Sequence, residues 1–377
     1  MTACSAMAVL FVREGNQDHM LMYITKVVEG VASSFIGPCL AALTLASFGP
    51  SEFDQVMANN VLWSHVGSSI SAILAGAAAY ILYPNIKLCF FVVGISAACA
   101  VIFVKFLPEG DQLMGRGFHS SKQEKPVGNL SDDQSTATKS EAPEAASYIS
   151  VMSEPKTLIL CMTGFFFHFA NANVLLVLGE LMSNGDNNNG DDDANEDAGA
   201  SRSAIPLIAG AILLAQATMT AATWLGDYFT KRGVGRKVLF MAGLVTLPVR
   251  CALIIYWKDA GNAFLLSTQI LDGIGGGIFG LLHPYIVADI TFGSGRFNLI
   301  MGLTASCFGL GGTMSNFLGQ MVVEKMGYVA SLTGSFFISF IPIAVFAIFM
   351  PETMNTRGKK KQEALIEKPD AGDYVLA

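Results

Sequence analysis

Charge is what this sequence has least of: Asp, Glu, Lys and Arg together make up 14% of its 377 residues, with only five histidines and three tryptophans beside them. Ordinary water-soluble domains devote about a quarter of their positions to charge, so a soluble globule is excluded at the outset. Spacing suited to catalysis or metal binding is missing as well. The seven cysteines (Cys4, Cys39, Cys89, Cys99, Cys161, Cys251 and Cys307) include no CxxC pair, which argues against a disulfide framework and against zinc. No HExxH or GxSxG run suggests a hydrolase. We therefore expect no enzyme activity, no metal and no cofactor. Nothing points to nucleic acid, and the formal net charge of −7 says little about partners because the acids are concentrated in loops.

What the chain does have is apolar mass, 52% of its residues. A helix needs about 20 apolar residues to cross a hydrocarbon core of ~30 Å. Nine runs satisfy this, at roughly 22–48, 61–83, 86–107, 156–182, 204–225, 238–257, 263–290, 297–322 and 328–350. Each reads as a helix, because backbone facing lipid must satisfy its own hydrogen bonds. The fold class expected is an all-α, multi-pass membrane protein. Lys and Arg gather in the 108–155 loop, the 226–237 loop, the 291–297 turn and the tail, which places those segments in the cytoplasm.

This gives four regions: a transmembrane part over 1–107, a flexible cytoplasmic linker over 108–155, a six-helix half over 156–350 and a cytoplasmic tail over 351–377. The acidic stretch 183–203 lies outside and reads as a solvated insert.

Residues 25–109 reappear at 268–352 at a constant offset. Thr25 corresponds to Thr268, Gly30 to Gly273, Gly37 to Gly280, Gly76 to Gly319, Pro108 to Pro351 and Glu109 to Glu352. Duplicated apolar bundles are how many secondary transporters build a site between two halves. Counterparts to the spans at 156–257 would precede residue 25, where the sequence holds only a short apolar stub, residues 1–12.

Three motifs then carry a family resemblance. The segment LGDYFTKRGVGRK (225–237) resembles the cytoplasmic signature of the major facilitator superfamily, with Gly226, Asp227, Gly235, Arg236 and Lys237 in its places; the Asp-to-Gly spacing is longer than usual and Thr223 stands where the first Gly belongs. Lys26, Glu29 and Gly30 resemble the opening of the family's fourth helix. Pro351-Glu352, echoed by Pro108-Glu109, resembles its end-of-half signature. The efflux permeases are the nearest flavour.

The resemblance implies that the nine spans are helices four to twelve of a twelve-helix fold, lacking the first three. It also implies a gating role for the signature residues, with Glu109 and Glu352. Asp227 is expected to face the amino end of the span beginning near Val61, with Arg236 and Glu352 or Glu109 completing a charge relay. The plainer reading is that these cations only anchor the loop inside.

Ionisable groups within spans are costly, at least ~2.5 kcal/mol at mid-bilayer, and usually have a partner or a task. Arg250 and Asp272 fall at matching heights and are expected to pair, while Glu29 has Lys26 one turn away. These four are candidates for proton coupling, with a permanent structural pair as the alternative. His65, His168, Asn171, Asn173, Gln216 and His283 are candidates to line a substrate cavity, although each is more commonly a helix-to-helix hydrogen-bonder. Gly275-x-Gly277-x-x-Gly280 matches a dinucleotide fingerprint but sits inside an apolar helix with no strand before it, so it reads as a packing face.

The reading that follows is a secondary active transporter, an antiporter moving a small solute outward in exchange for protons. The alternative is a non-transporting membrane protein kept as a receptor-like or interaction scaffold.

Overall fold

In the computed structural model, residues 2–11, 18–83, 85–118, 145–187, 204–354 and 357 are described, and among them every regular element is helical. The chain opens with Thr2–Met7 (α1) and a 3-10 turn at Ala8–Phe11, then Asp18–Ser34 (α2) and Ile36–Ile81 (α3). A second 3-10 turn, Ile86–Cys89, leads into Phe90–Val104 (α4). Two short helices follow, Gln112–Gly115 (α5) and Tyr148–Met152 (α6). The larger bundle comprises Pro155–Asn187 (α7), Ala204–Lys231 (α8), Arg236–Tyr256 (α9), Asn262–Ser267 (α10), Gln269–Thr291 (α11), Phe297–Met326 (α12), Tyr328–Ile338 (α13) and Phe340–Phe349 (α14).

Eight stretches among the described residues are long and apolar enough to cross a membrane. The first, Ile24–Ile81, runs for 58 residues and contains two of the nine spans read from the sequence. It is no single rod, because Gly49 inside α3 has φ 74 and ψ 172, followed by Pro50. A positive φ suits glycine, which has no Cβ to clash, and proline has no N–H to continue the ladder. The break divides α3 at the point where the sequence calls for a change of direction. Each remaining span matches one expected run; Asn262–Thr291 joins α10 and α11, and Tyr328–Phe349 joins α13 and α14.

Close seams hold the larger bundle together where glycine lets backbones approach. A Cβ on Gly277 would stand 2.7 Å from the Met219 carbonyl oxygen, and one on Gly273 would stand 2.7 Å from that of Ala215, so α11 rides directly on α8. Gly164 and Gly311 do the same between α7 and α12, against Phe308 and the Phe165 carbonyl. Without a hydrophobic drive between helices in lipid, such small-residue contacts supply the packing. Around them lies an aromatic core in which Phe167 and Phe279 stack at 4.9 Å and Phe240 and Phe346 at 4.5 Å. The repeated glycines are used unequally: Gly30 meets nothing within 4 Å, whereas Gly273 is wedged against α8.

The linker read from the sequence at 108–155 is ordered at both of its described ends, as α5 and α6. Its residues 119–144 lie outside the described residues, as do 188–203 of the acidic stretch; 183–187 continue α7. Of the tail beyond Met354, only Arg357 is described.

Candidate functional site

Two polar clusters lie at opposite ends of the larger bundle. They are joined by α9, whose residues 236 and 250 are ~21 Å apart at helical rise.

At the first, the turn before α9 is built for close approach. Glu352 accepts hydrogen bonds from the backbone N–H groups of Arg236 (3.0 Å) and Lys237 (3.1 Å), placing a carboxylate on the amino end of α9. That end carries unsatisfied donors and the positive pole of the helix dipole. Gly235 makes the approach possible, since a Cβ there would meet Glu352 Oε2 at 2.3 Å. Glu352 also accepts from its own neighbours Thr353 and Met354, both at 2.9 Å, which closes the turn after the last span. Lys237 Nζ donates to the Ala347 carbonyl at 2.7 Å.

With its backbone so fixed, Arg236 projects into a ring of four alternating charges. Its guanidinium meets Asp54 Oδ2 at 2.5 Å and Asp289 Oδ2 at 2.7 Å. Arg357 meets the other oxygen of each carboxylate, Asp54 Oδ1 at 2.5 Å and Asp289 Oδ1 at 2.6 Å, and donates to the Pro50 carbonyl at 2.9 Å. Asp289 is 1% exposed, so it stands fully desolvated between its two cations. Burial works against the charge on Arg357, but Asp289 and Asp54 outweigh it and hold the guanidinium above its ordinary pKa. Asp54 comes from α3 just past the Gly49 break, Arg236 from α9, Asp289 from the end of α11 and Arg357 from beyond the last span. The ring therefore ties 50–81 to the larger bundle.

Asp227 stands beside this ring rather than in it. It pairs with Lys231 one turn on, at 2.7 Å, and accepts from the Tyr285 hydroxyl at 3.3 Å. That hydroxyl also donates to the Asp54 carbonyl at 2.5 Å, so Tyr285 joins the signature acid to α3. The amino end that Asp227 approaches belongs to a helix beginning at Pro50, eleven residues before Val61, because the break comes at Gly49. Glu109 is exposed and lies apart from the network, and Gly226 packs under the Leu281 side chain. The Arg236 guanidinium thus meets Asp54 and Asp289 where Asp227 was expected, while Glu352 reaches Arg236 through its backbone N–H. Asp54, Asp289 and Arg357 are not among the residues that the sequence singles out. The available signal was a carboxylate four residues past a Gly-Pro break.

At the second cluster Arg250 Nη1 donates to Asp272 Oδ1 at 2.7 Å and to Asn171 Oδ1 at 3.0 Å, while Asn171 Nδ2 donates to Asp272 Oδ1 at 3.0 Å. Arg250 is 1% exposed and its Nε and Nη2 are buried without a hydrogen-bond partner, whereas Asp272 keeps 13% exposure. The acid is thus the more open member of a buried pair. Lys26 and Glu29, at the repeat-equivalent height, also pair at 2.9 Å but with side chains 55% and 28% exposed.

The cavity candidates divide. His168 lies among rings, against Phe167, Phe279 and Phe308, and His283 bonds Thr304 Oγ1 at 2.8 Å beside the same Phe308. His65 Nδ1 meets Gln216 Oε1 at 2.9 Å, which ties α3 to α8. Asn173 is buried, its side chain donating to Ser331 at 3.0 Å. None of the six lines the groove of about 320 Å³ between α3 and α8, whose walls are Ala72, Gly76, Ala77, Ala209, Gly210 and other small or apolar residues. Each of these candidates makes a helix-to-helix contact, at separate places in the bundle.

No protein-family model matches the chain. Two similar proteins are uncharacterized MFS-type transporters of Mycobacterium tuberculosis, one from strain H37Rv and one from strain CDC 1551 / Oshkosh. Each is 27% identical over 335 residues, covering 88% of this chain and 72% of the relative.

Proposed function

We propose that this all-α, multi-pass membrane protein, which is similar to MFS-type transporters, is a secondary active transporter of the major facilitator superfamily that expels a small solute in exchange for protons by alternating access. The Lys and Arg bias puts the charge ring at the cytoplasmic face. One observation carries the reading: the ring of Asp54, Arg236, Asp289 and Arg357 joins residues on both sides of the linker. Rocking requires contacts that are selective in one access state and separable in the other. Charge-assisted bonds from two guanidiniums to one carboxylate, itself at a helix amino end, have that character. Asp227, through Tyr285, steadies the same joint.

The Arg250 to Asp272 pair is the coupling site on this reading. A proton arriving at Asp272 cancels its charge and leaves Arg250 buried with Asn171 alone. That state is relieved by repacking, which links protonation to movement.

The test is a pair of spin labels at Ser51→Cys and Arg232→Cys, in a chain with its seven native cysteines replaced by serine and reconstituted into liposomes. Two distance populations are expected, with Asp54→Asn shifting weight to the longer one. A single distance in wild type and variant at every pH would favour the scaffold reading. With ethidium as the transport probe, Asp272→Asn should abolish the dependence of efflux on the proton gradient; an unchanged dependence would remove Asp272 from coupling.

A further inference from the structure

Residues 110–118 lie flat across the joint described above. Asp111 N–H donates to the Ala46 carbonyl at 2.9 Å, and the Asp111 side chain caps α5 by accepting from Leu113 N–H at 2.9 Å. Two glycines set the closeness of this contact, since a Cβ on Gly110 would meet Ala46 Cβ at 2.6 Å and one on Gly115 would meet it at 3.0 Å. Past α5 the segment crosses to the turn between α11 and α12. There Gly293 N–H donates to the Gly117 carbonyl at 2.8 Å and Phe297 N–H to the Arg116 carbonyl at 3.1 Å. Gly117, Gly293 and Gly295 have φ of 94, 81 and 69, conformations that side chains other than glycine's adopt at a cost. Phe118, 5% exposed, lies on Gly295, where a Cβ would stand 2.1 Å from its ring.

The far end of the linker takes hold of the same turn. Ala146 N–H donates to the Ser294 carbonyl at 3.0 Å, Arg296 Nε donates back to the Ala146 carbonyl at 2.7 Å, and the Arg296 guanidinium lies 3.6 Å over the Tyr148 ring. Beside Phe118, the Arg357 side chain of the charge ring, with Leu45 and Phe297, lines a small enclosed space. Strap, turn and ring thus form one contiguous layer.

We propose that residues 110–118 are a cytoplasmic gate strap, docked on the 291–297 turn when the cytoplasmic side is closed and released from it when that side opens. The proposal rests on the alternating-access reading. Its physical basis is that the segment bonds Ala46 on one side of the joint and Gly293 and Phe297 on the other, so the halves cannot separate there with both sets of bonds intact. The linker is then a moving part of the gate and not a passive tether.

Hydrogen exchange of the full chain in nanodiscs, read by mass spectrometry, tests this. In wild type the amides of Asp111, Gly293 and Phe297 should exchange slowly. In Asp54→Asn, which weakens the ring without touching the strap, all three should exchange roughly tenfold faster together, while α7 and α12 keep their protection. Unchanged protection of the strap in a chain whose spin-label distances have lengthened would overturn the strap and leave alternating access standing. Distances that never change would take down both.

Should Asp54→Asn lose protection throughout, Phe118→Ala gives a second route. Cysteine introduced at Leu45 should be alkylated faster by a cytoplasmic maleimide in the Phe118→Ala background than in its absence, with modification assigned by peptide mass. Equal rates would overturn the proposal.

Discussion

A buried guanidinium flanked by two carboxylates is expensive to disturb by halves. Arg236 is 6% exposed at its side chain and Asp289 1%, so replacing Arg236 by alanine leaves a desolvated acid with one cation in place of two. We expect Arg236→Ala to destabilise by about 3–5 kcal/mol, seen as a lowered midpoint of thermal unfolding in detergent. Lys26→Ala, which removes an exposed one-turn pair, should change stability by under about 1 kcal/mol in the same measurement.

At the other end, Arg250→Leu alone should be worse than Arg250→Leu with Asp272→Asn, because the single change strands the acid. A coupling of about 0.5–3 kcal/mol in the double-mutant cycle is expected, and additive losses would argue against the pair. This contact was legible in the sequence, since two opposite charges at equal depth in adjacent spans have few other partners. Asp54 was not, because its importance depends on where a helix breaks, and Arg357 was not, because a lone arginine in a basic tail looks like any other.

Helices in this bundle meet through glycine, and the meeting distances differ enough to be tested one at a time. Gly277→Val would push a side chain into the Met219 backbone and force α8 from α11; a loss of about 1–3 kcal/mol is expected, from unfolding monitored by tryptophan fluorescence. Gly302→Ala meets nothing within 4 Å and should be neutral or stabilising by about 0.5–1 kcal/mol.

The spans themselves were readable because lipid leaves the backbone no alternative to helix. The positions of all nine apolar runs match helical segments, including the two merged in Ile24–Ile81. What composition concealed was the order in the linker. Gly110, Gly115 and Gly117 look like a loop in sequence, and only against Ala46 and the 291–297 turn do they become a docked surface.

Among the described residues the buried ion pairs are concentrated at two levels, a charge ring with its strap at one end and the Arg250 cluster at the other, with an aromatic core between. Alternating access would use these levels in opposition, one closing as the other opens. On the proposed mechanism Asp227→Asn should slow ethidium efflux while leaving the amount of protein in the membrane unchanged, because the Tyr285 hydroxyl that bonds Asp227 also bonds Asp54 of the ring; unchanged efflux kinetics would confine the residue to anchoring.

The last span is followed at once by two residues that face backwards into the protein, Glu352 on the amino end of α9 and Arg357 on Asp54 and Asp289. A chain cut after Met350 would keep every hydrophobic crossing and still lose the clamp on α9 together with half the positive charge of the ring. Reporter or purification fusions belong beyond Arg357, and a stop codon between Met350 and Arg357 would yield a protein that inserts normally and works badly.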